Sequence, residues 1–258
     1  MIHRLALPLL VPGIGGLLFS QPISAQIRSG SCNEYRGTIG EHTEIGLALY
    51  AGNGSLQGSY FYKKDLKDIT LAGKFTSARD ISLTGTDSAG QSHGEFQLHF
   101  AEHRREYETT KSLEAEVLEG KWTSADRKTS DPVYLQLDHE CVPPGQKRYE
   151  SAGASSDELV ERNAQAFYDA VVGGKPERAA RYVAYPATYF EGGKLKQISN
   201  PAEFLKLYKK IFTPTYVAEI AKGIAHHMFV SAQGIMIADG KVWFDADGKA
   251  KHFNNQVQ

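Results

Sequence analysis

The sequence predicts two domains: an all-β antiparallel meander or barrel, then an α+β cone, meaning a curved antiparallel sheet closed by about three helices. Three observations predict it. Short apolar runs separated by Gly, Asp, Ser and Lys recur at near-regular spacing from Tyr35 to Leu135. Helical periodicity enters only after residue 155. The stretch from Ala225 to Asn255 then alternates again, in three runs divided and followed by the turns Ala238-Asp239-Gly240 and Asp245-Ala246-Asp247-Gly248. Large side chains on both faces of that last sheet, with helices ahead of it, imply a curl around a small pocket.

The chain starts with His3 and Arg4, an apolar run from Leu5 to Phe19, and a small polar segment ending near Ala25. This reads as a secretory signal over 1–25. Pro8, Pro12 and the glycines at 13, 15 and 16 argue against a membrane span. The expected location is periplasmic or secreted, with no stable membrane anchor. A formal net charge of −1 and the absence of a basic run argue against nucleic acid as a partner.

The first domain spans 27–142. Ile45, Leu47 and Leu49 alternate with small residues, and Ala51-Gly52-Asn53-Gly54-Ser55 turns the chain. Tyr60 to Tyr62, Ile69 to Leu71, Ile81 to Leu83, Phe96 to Leu98, Val117-Leu118 and Val133 to Leu135 supply further strands. A glycine followed two residues on by an aromatic recurs (Gly58-Tyr60, Gly73-Phe75, Gly94-Phe96, Gly120-Trp122), as expected of repeated hairpins bending at barrel corners. Cys32 and Cys141 bracket this set and are the only cysteines. In an oxidising compartment they most simply bridge, which would pin the end strands. Closing a loop of roughly 100 residues contributes about 4–5 kcal/mol in the chain-entropy model. The domain is loosely similar to small exported all-β domains, some of them hydrolase inhibitors. Residues 101–114 form the most charged stretch and read as a solvated loop, or more sharply as a partner-contacting one.

Residues 143–155 read as a linker, rich in Pro, Gly, Ser and charge. The second domain follows over 156–258. Ser155 and Glu158 offer a capping box for a helix with Val160, Ala164, Phe167 and Val171 on one face. Pro176 starts a second helix, Tyr185 to Phe190 is extended, and Gly192-Gly193 turns it. Asn200 caps a third helix, with Pro201 at its first position and Phe204, Leu207, Tyr208 and Ile211 as its stripe. Pro214 is expected to limit that helix.

The order of two helices, Tyr185-Pro186, Asn200-Pro201-Ala202-Glu203-Phe204, Tyr208, Ile211-Phe212-Thr213-Pro214, then Phe229, Gly234, Met236-Ile237, Gly240 and Trp243-Phe244 resembles the nuclear-transport-factor-two-like (cystatin-like cone) superfamily. The likeness is nearest its exported bacterial members. It covers about 155–258 and implies the cone fold. The superfamily holds dehydratases, isomerases and cyclases beside non-catalytic binding and dimerising modules, so it implies no single activity.

Enzymes of that cone use an acid or base in the pocket with a tyrosine partner. The candidate pocket-lining residues here are Tyr185, Tyr189, Tyr208, His227, Trp243 and Asn254. His226 and His227, read as strand neighbours, point to opposite faces, which makes them a poor metal pair. Asp169, on the first helix, reads as a solvated residue. The loop at Gly52 to Gly58 lacks the lysine and helix of a phosphate site, and Asp245 to Gly248 lacks the later ligands of a calcium loop. No catalytic constellation, metal or cofactor is called for. The sequence therefore favours an exported non-catalytic binding protein, using the cone pocket or the β surface, with an unknown small molecule or exported protein as partner and a possible homodimer through the second domain. Two rivals stand beside it. One is a dehydratase- or isomerase-type enzyme with His227 as base and Tyr185 or Tyr189 as polariser. The other is an inhibitor or immunity protein acting through the 101–114 loop.

Overall fold

Alternation of period two builds the first half of the molecule. The strands are β1 (Cys32–Ile39), β2 (Thr43–Gly52), β3 (Ser55–Tyr62), β4 (Ile69–Phe75), β5 (Asp80–Thr86), β6 (Ser92–Arg104), β7 (Glu114–Thr123) and β8 (Ser130–Glu140). Each is antiparallel to the next, and β1 pairs with β8 to close a barrel of eight strands. The computed structural model describes residues 27–52, 54–104 and 114–256, and the side chains of 102–104 and 114–115 are not described. The segment read as a signal, 1–25, and most of the charged 101–114 stretch lie outside the described residues. Among the described residues no helix is long and apolar enough to cross a membrane.

Tyr35, Ile45, Leu47, Leu49, Tyr60, Leu83, Phe96 and Leu135 point into the barrel and are buried. An eight-stranded barrel is just wide enough for such side chains to fill it. Gly120 on β7 sits at φ +153°, where a Cβ would run into the Gln97 carbonyl, so here the expected corner glycine is required by close approach. Cys32 and Cys141 form the expected disulfide, closing a sequence separation of 109 residues, with a Cα–Cα distance of 4.9 Å. The bridge ties the start of β1 to the end of β8, where Cys141 N also donates to Cys32 O.

Strand alternation puts a second set of residues on the outside of β1, β2 and β3: Glu34, Arg36, Gly46, Ala48 and Phe61. Glu34, Ala48 and Phe61 are buried nonetheless, because the C-terminal half covers this wall.

That half contains α1 (Asp157–Val172), α2 (Pro176–Ala179), β9 (Val183–Glu191), β10 (Lys194–Ile198), α3 (Pro201–Ile211), α4 (Pro214–Ala221), β11 (Phe229–Ser231), β12 (Gly234–Ile237), β13 (Val242–Phe244) and β14 (Ala250–Phe253). Val160, Ala164, Phe167 and Val171 are the buried stripe of α1, as their spacing predicts. The cap is one residue later than expected: Ser156 accepts from Leu159 N. Asn200 caps α3 by accepting from Glu203 N. Pro214 does not simply end a helix but opens α4 at its first position, with Thr213 as cap.

The sheet runs in the order β10-β9-β14-β13-β12-β11. It is mixed, not antiparallel throughout as the sequence suggested, because β14 lies parallel to β9. The long crossover through α3 and α4 frees the direction in which the last strands return. A hollow inside the curl was also expected. Phe167, Phe204, Phe212, Tyr216 and Phe253 are buried between helices and sheet and contact one another ring to ring, so aromatic side chains occupy the space the curl encloses. Many edge-to-face contacts favour this arrangement over a cavity.

The segment read as a linker is anchored to its surroundings. Tyr149 is fully buried, and its backbone N and that of Arg148 donate to the Asp157 carboxylate at 3.1 and 2.7 Å.

Candidate functional site

The seam between the barrel wall and the C-terminal half holds a cluster of charged side chains drawn from across the sequence. β1 supplies Glu34 and Arg36. The residue just ahead of β4 is Asp68. α1 supplies Glu161, and the segment just ahead of β11 supplies His226 and His227. Phe61, on the outer face of β3, lies against the edges of both imidazoles, with centroid distances of 4.5 Å to His226 and 5.0 Å to His227.

Each imidazole sits between two carboxylates. His226 Nδ1 is 2.6 Å from Glu161 Oε2, and its Nε2 is 3.1 Å from Asp68 Oδ1. His227 Nδ1 is 3.3 Å from both Glu34 oxygens, and its Nε2 is 3.1 Å from Asp68 Oδ2. A neutral imidazole donates from one nitrogen only. Burial lowers the affinity of His226 for its proton, yet the Asp68 and Glu161 carboxylates outweigh this and push its pKa up to about 9. Burial likewise opposes ionisation of Asp68, Glu161 and Glu34. Asp68 and Glu161 are held below the usual carboxylate range mainly by the histidines, and Glu34 by His227 and then Arg36.

The backbone at this point is held in place. His227 has φ 48°, left-handed and uncommon for a side chain of this kind. Arg36 Nη2 donates to the carbonyls of His226 (2.9 Å) and His227 (2.7 Å). His227 N donates to Glu161 Oε1 at 3.1 Å. Tyr149 OH donates to the same oxygen at 2.9 Å and accepts from Met228 N at 3.0 Å. Gly46 leaves the room in which the Arg36 guanidinium lies over the Phe61 ring, 5.0 Å from its centroid.

The reading of His226 and His227 as strand neighbours facing opposite ways is overturned. β11 begins only at Phe229. The two residues occupy a bend, their rings stack at 4.4 Å between centroids, and both reach Asp68. Asp68, His226 and His227 are accordingly the group among the described residues that could hold a metal ion, each offering a ligand atom within 4.8 Å of the others.

The other expected pocket residues are scattered. Tyr185 OH donates to Ala180 O at 3.2 Å, and burial pushes its pKa up to about 12. Tyr189 is buried and bonds Glu191. Tyr208 reaches Val171 O among the aromatic rings. Trp243 is half-buried on β13, and Asn254 N donates to Lys241 O. His227 alone of the six lines a cleft at the seam, a space of about 430 Å³ walled by Arg36, Asp138, Lys222, Met228, Phe229 and Met236 among others. A second cleft of about 600 Å³ adjoins it, sharing Asp138, His139, Met228, Phe229 and Met236. Sequence reasoning missed Glu34, Arg36, Asp68, Tyr149 and Glu161. The one local signal was the consecutive histidine pair.

No protein-family model, no curated protein and no solved structure matches the chain.

Proposed function

We propose that the chain is an exported, non-catalytic binding protein that takes a small molecule in the seam cleft, and that its C-terminal half is a nuclear-transport-factor-two-like fold. The observation that supports this best is where open space lies. The interior of the C-terminal half is filled with aromatic rings, whereas the seam is open. The cleft that His227 lines falls in the range of about 300–1,000 Å³ common for small-ligand sites. Met228, Phe229, Met236 and Ile237 give it an apolar wall, and Arg36, Asp138, Lys222 and Lys241 give it charge. That mixture suits an amphipathic molecule with a charged end. The disulfide supports export, since such bridges persist in oxidising compartments. The dehydratase pairing has less support. Both ring nitrogens of His227 are engaged by carboxylates, and Tyr185 and Tyr189 bond Ala180 and Glu191 instead.

The test is a thermal-shift screen of charged amphipathic small molecules against the oxidised chain, repeated with Met236→Trp to fill the cleft. Hits that lose their shift in Met236→Trp but keep it in Tyr185→Phe support the reading. Hits indifferent to Met236→Trp, or turnover of any of them, would contradict it.

A further inference from the structure

We propose that Asp68, His226 and His227 form a binding site for one divalent transition-metal ion of the zinc class, joining the barrel to the C-terminal half. The site stands apart from the cleft proposal, since an ion can bind here whether or not a small molecule binds beside it.

Convergence comes first. The two Nε2 atoms each lie 3.1 Å from a different oxygen of the same carboxylate. Nitrogen and oxygen ligands at about 2.0–2.1 Å from one zinc ion sit about 3–3.4 Å from each other. The stacked rings turn both Nε2 atoms toward Asp68.

The far side of each ring supplies a second, independent observation. His226 Nδ1 meets Glu161 and His227 Nδ1 meets Glu34. A metal-bound histidine characteristically donates its remote N–H to a carboxylate, which fixes the tautomer and frees the other nitrogen's lone pair for the ion. Both imidazoles here have that partner. Glu34 is fully buried, so this support is built into the packed wall rather than offered from a mobile surface chain.

Rigidity follows from the backbone. The left-handed His227 is held by Arg36 on two consecutive carbonyls and by Glu161 on its N–H. Backbone strain of this kind clusters at ligand sites. Charge is balanced as well. A dication together with Arg36 offsets Glu34, Asp68 and Glu161. Binding forms two N–metal bonds and one O–metal bond, with any proton on an Nε2 atom lost to solvent.

The donor set selects the ion. Two imidazoles and one carboxylate suit zinc and its neighbours, whereas calcium and magnesium prefer all-oxygen cages. The Asp68 side chain is 45% exposed, so the ion would face solvent on that side with a position left for water.

Isothermal titration of the chelator-stripped chain with zinc chloride, its disulfide intact, tests this. One ion per chain at micromolar or tighter affinity is expected, as is a visible Co²⁺ spectrum of low-symmetry, four-coordinate type. Asp68→Asn, at a partly exposed position, should weaken binding by about 100-fold or more. Glu161→Gln should weaken it about 10–100-fold with the stoichiometry kept. Melting temperature should rise with zinc in the parent chain and not in Asp68→Asn. No uptake, or uptake unchanged by Asp68→Asn and lost in the exposed-histidine variants His42→Ala or His99→Ala, would overturn the site.

Discussion

Two interiors of this molecule are built on opposite principles. Between the helices and sheet of the C-terminal half, Phe167, Phe204, Phe212, Tyr216 and Phe253 pack ring against ring. The seam, by contrast, buries Glu34 and His227 and nearly buries His226, with Arg36, Asp68 and Glu161 completing the set. The first arrangement gains from dispersion and from removing apolar area from water. The second gains little net stability, because desolvation of each charge offsets most of the attraction. An expensive cluster persisting beside an inexpensive core is a sign that it does something besides hold the halves together.

Substitutions should separate the two regions. Phe167→Ala removes a ring packed against Phe212, Phe244 and Phe253 and should cost about 3–5 kcal/mol in urea unfolding. Zinc affinity, measured where the variant is folded, should not change. Glu34→Gln keeps the shape at a fully buried position but removes the charge facing His227 and Arg36. A loss of about 1.5–3 kcal/mol is expected, and unlike Phe167→Ala it should weaken zinc as well. Gly46→Ala places a methyl against the Arg36 guanidinium and the Phe61 ring, so one of them has to shift beside the two histidine carbonyls that Arg36 holds. That overpacking should cost about 1–3 kcal/mol, and loss of the zinc-dependent rise in melting temperature would show that the effect acts through the loop. Asn200→Ala removes the cap of α3 and should cost about 1 kcal/mol, with no effect at the seam. If Asn200→Ala altered zinc binding, the separation of the two regions would be wrong.

What was legible follows the same division. Barrel strands, the α1 stripe and the Asn200 cap each depend on residues within a few positions of one another, so alternation, helical spacing and capping chemistry disclose them. The disulfide could be paired because no other cysteines compete. The aromatic filling was half legible: Phe204 and Tyr208 show as a stripe, but whether a curled sheet encloses space or rings depends on volumes that no pattern reports. The seam was not legible. Its members sit at 34, 36, 68, 161, 226 and 227, brought together only by closure of the barrel and docking of a later half onto its wall. Glu34 and Arg36 lie on the outward face of a barrel strand, where alternation predicts solvent. The histidine pair was misread because a left-handed residue breaks strand alternation, and nothing local announces a positive φ at a histidine.

Anomalous diffraction from crystals grown with zinc is the direct check on the claim that the charged cluster at the seam is built to hold a metal ion. A single strong peak is expected within about 2.0–2.2 Å of His226 Nε2, His227 Nε2 and an Asp68 oxygen, with Glu34 and Glu161 still on the remote ring nitrogens. Crystals that bind zinc at other histidines and leave these three residues in contact only with one another would contradict it.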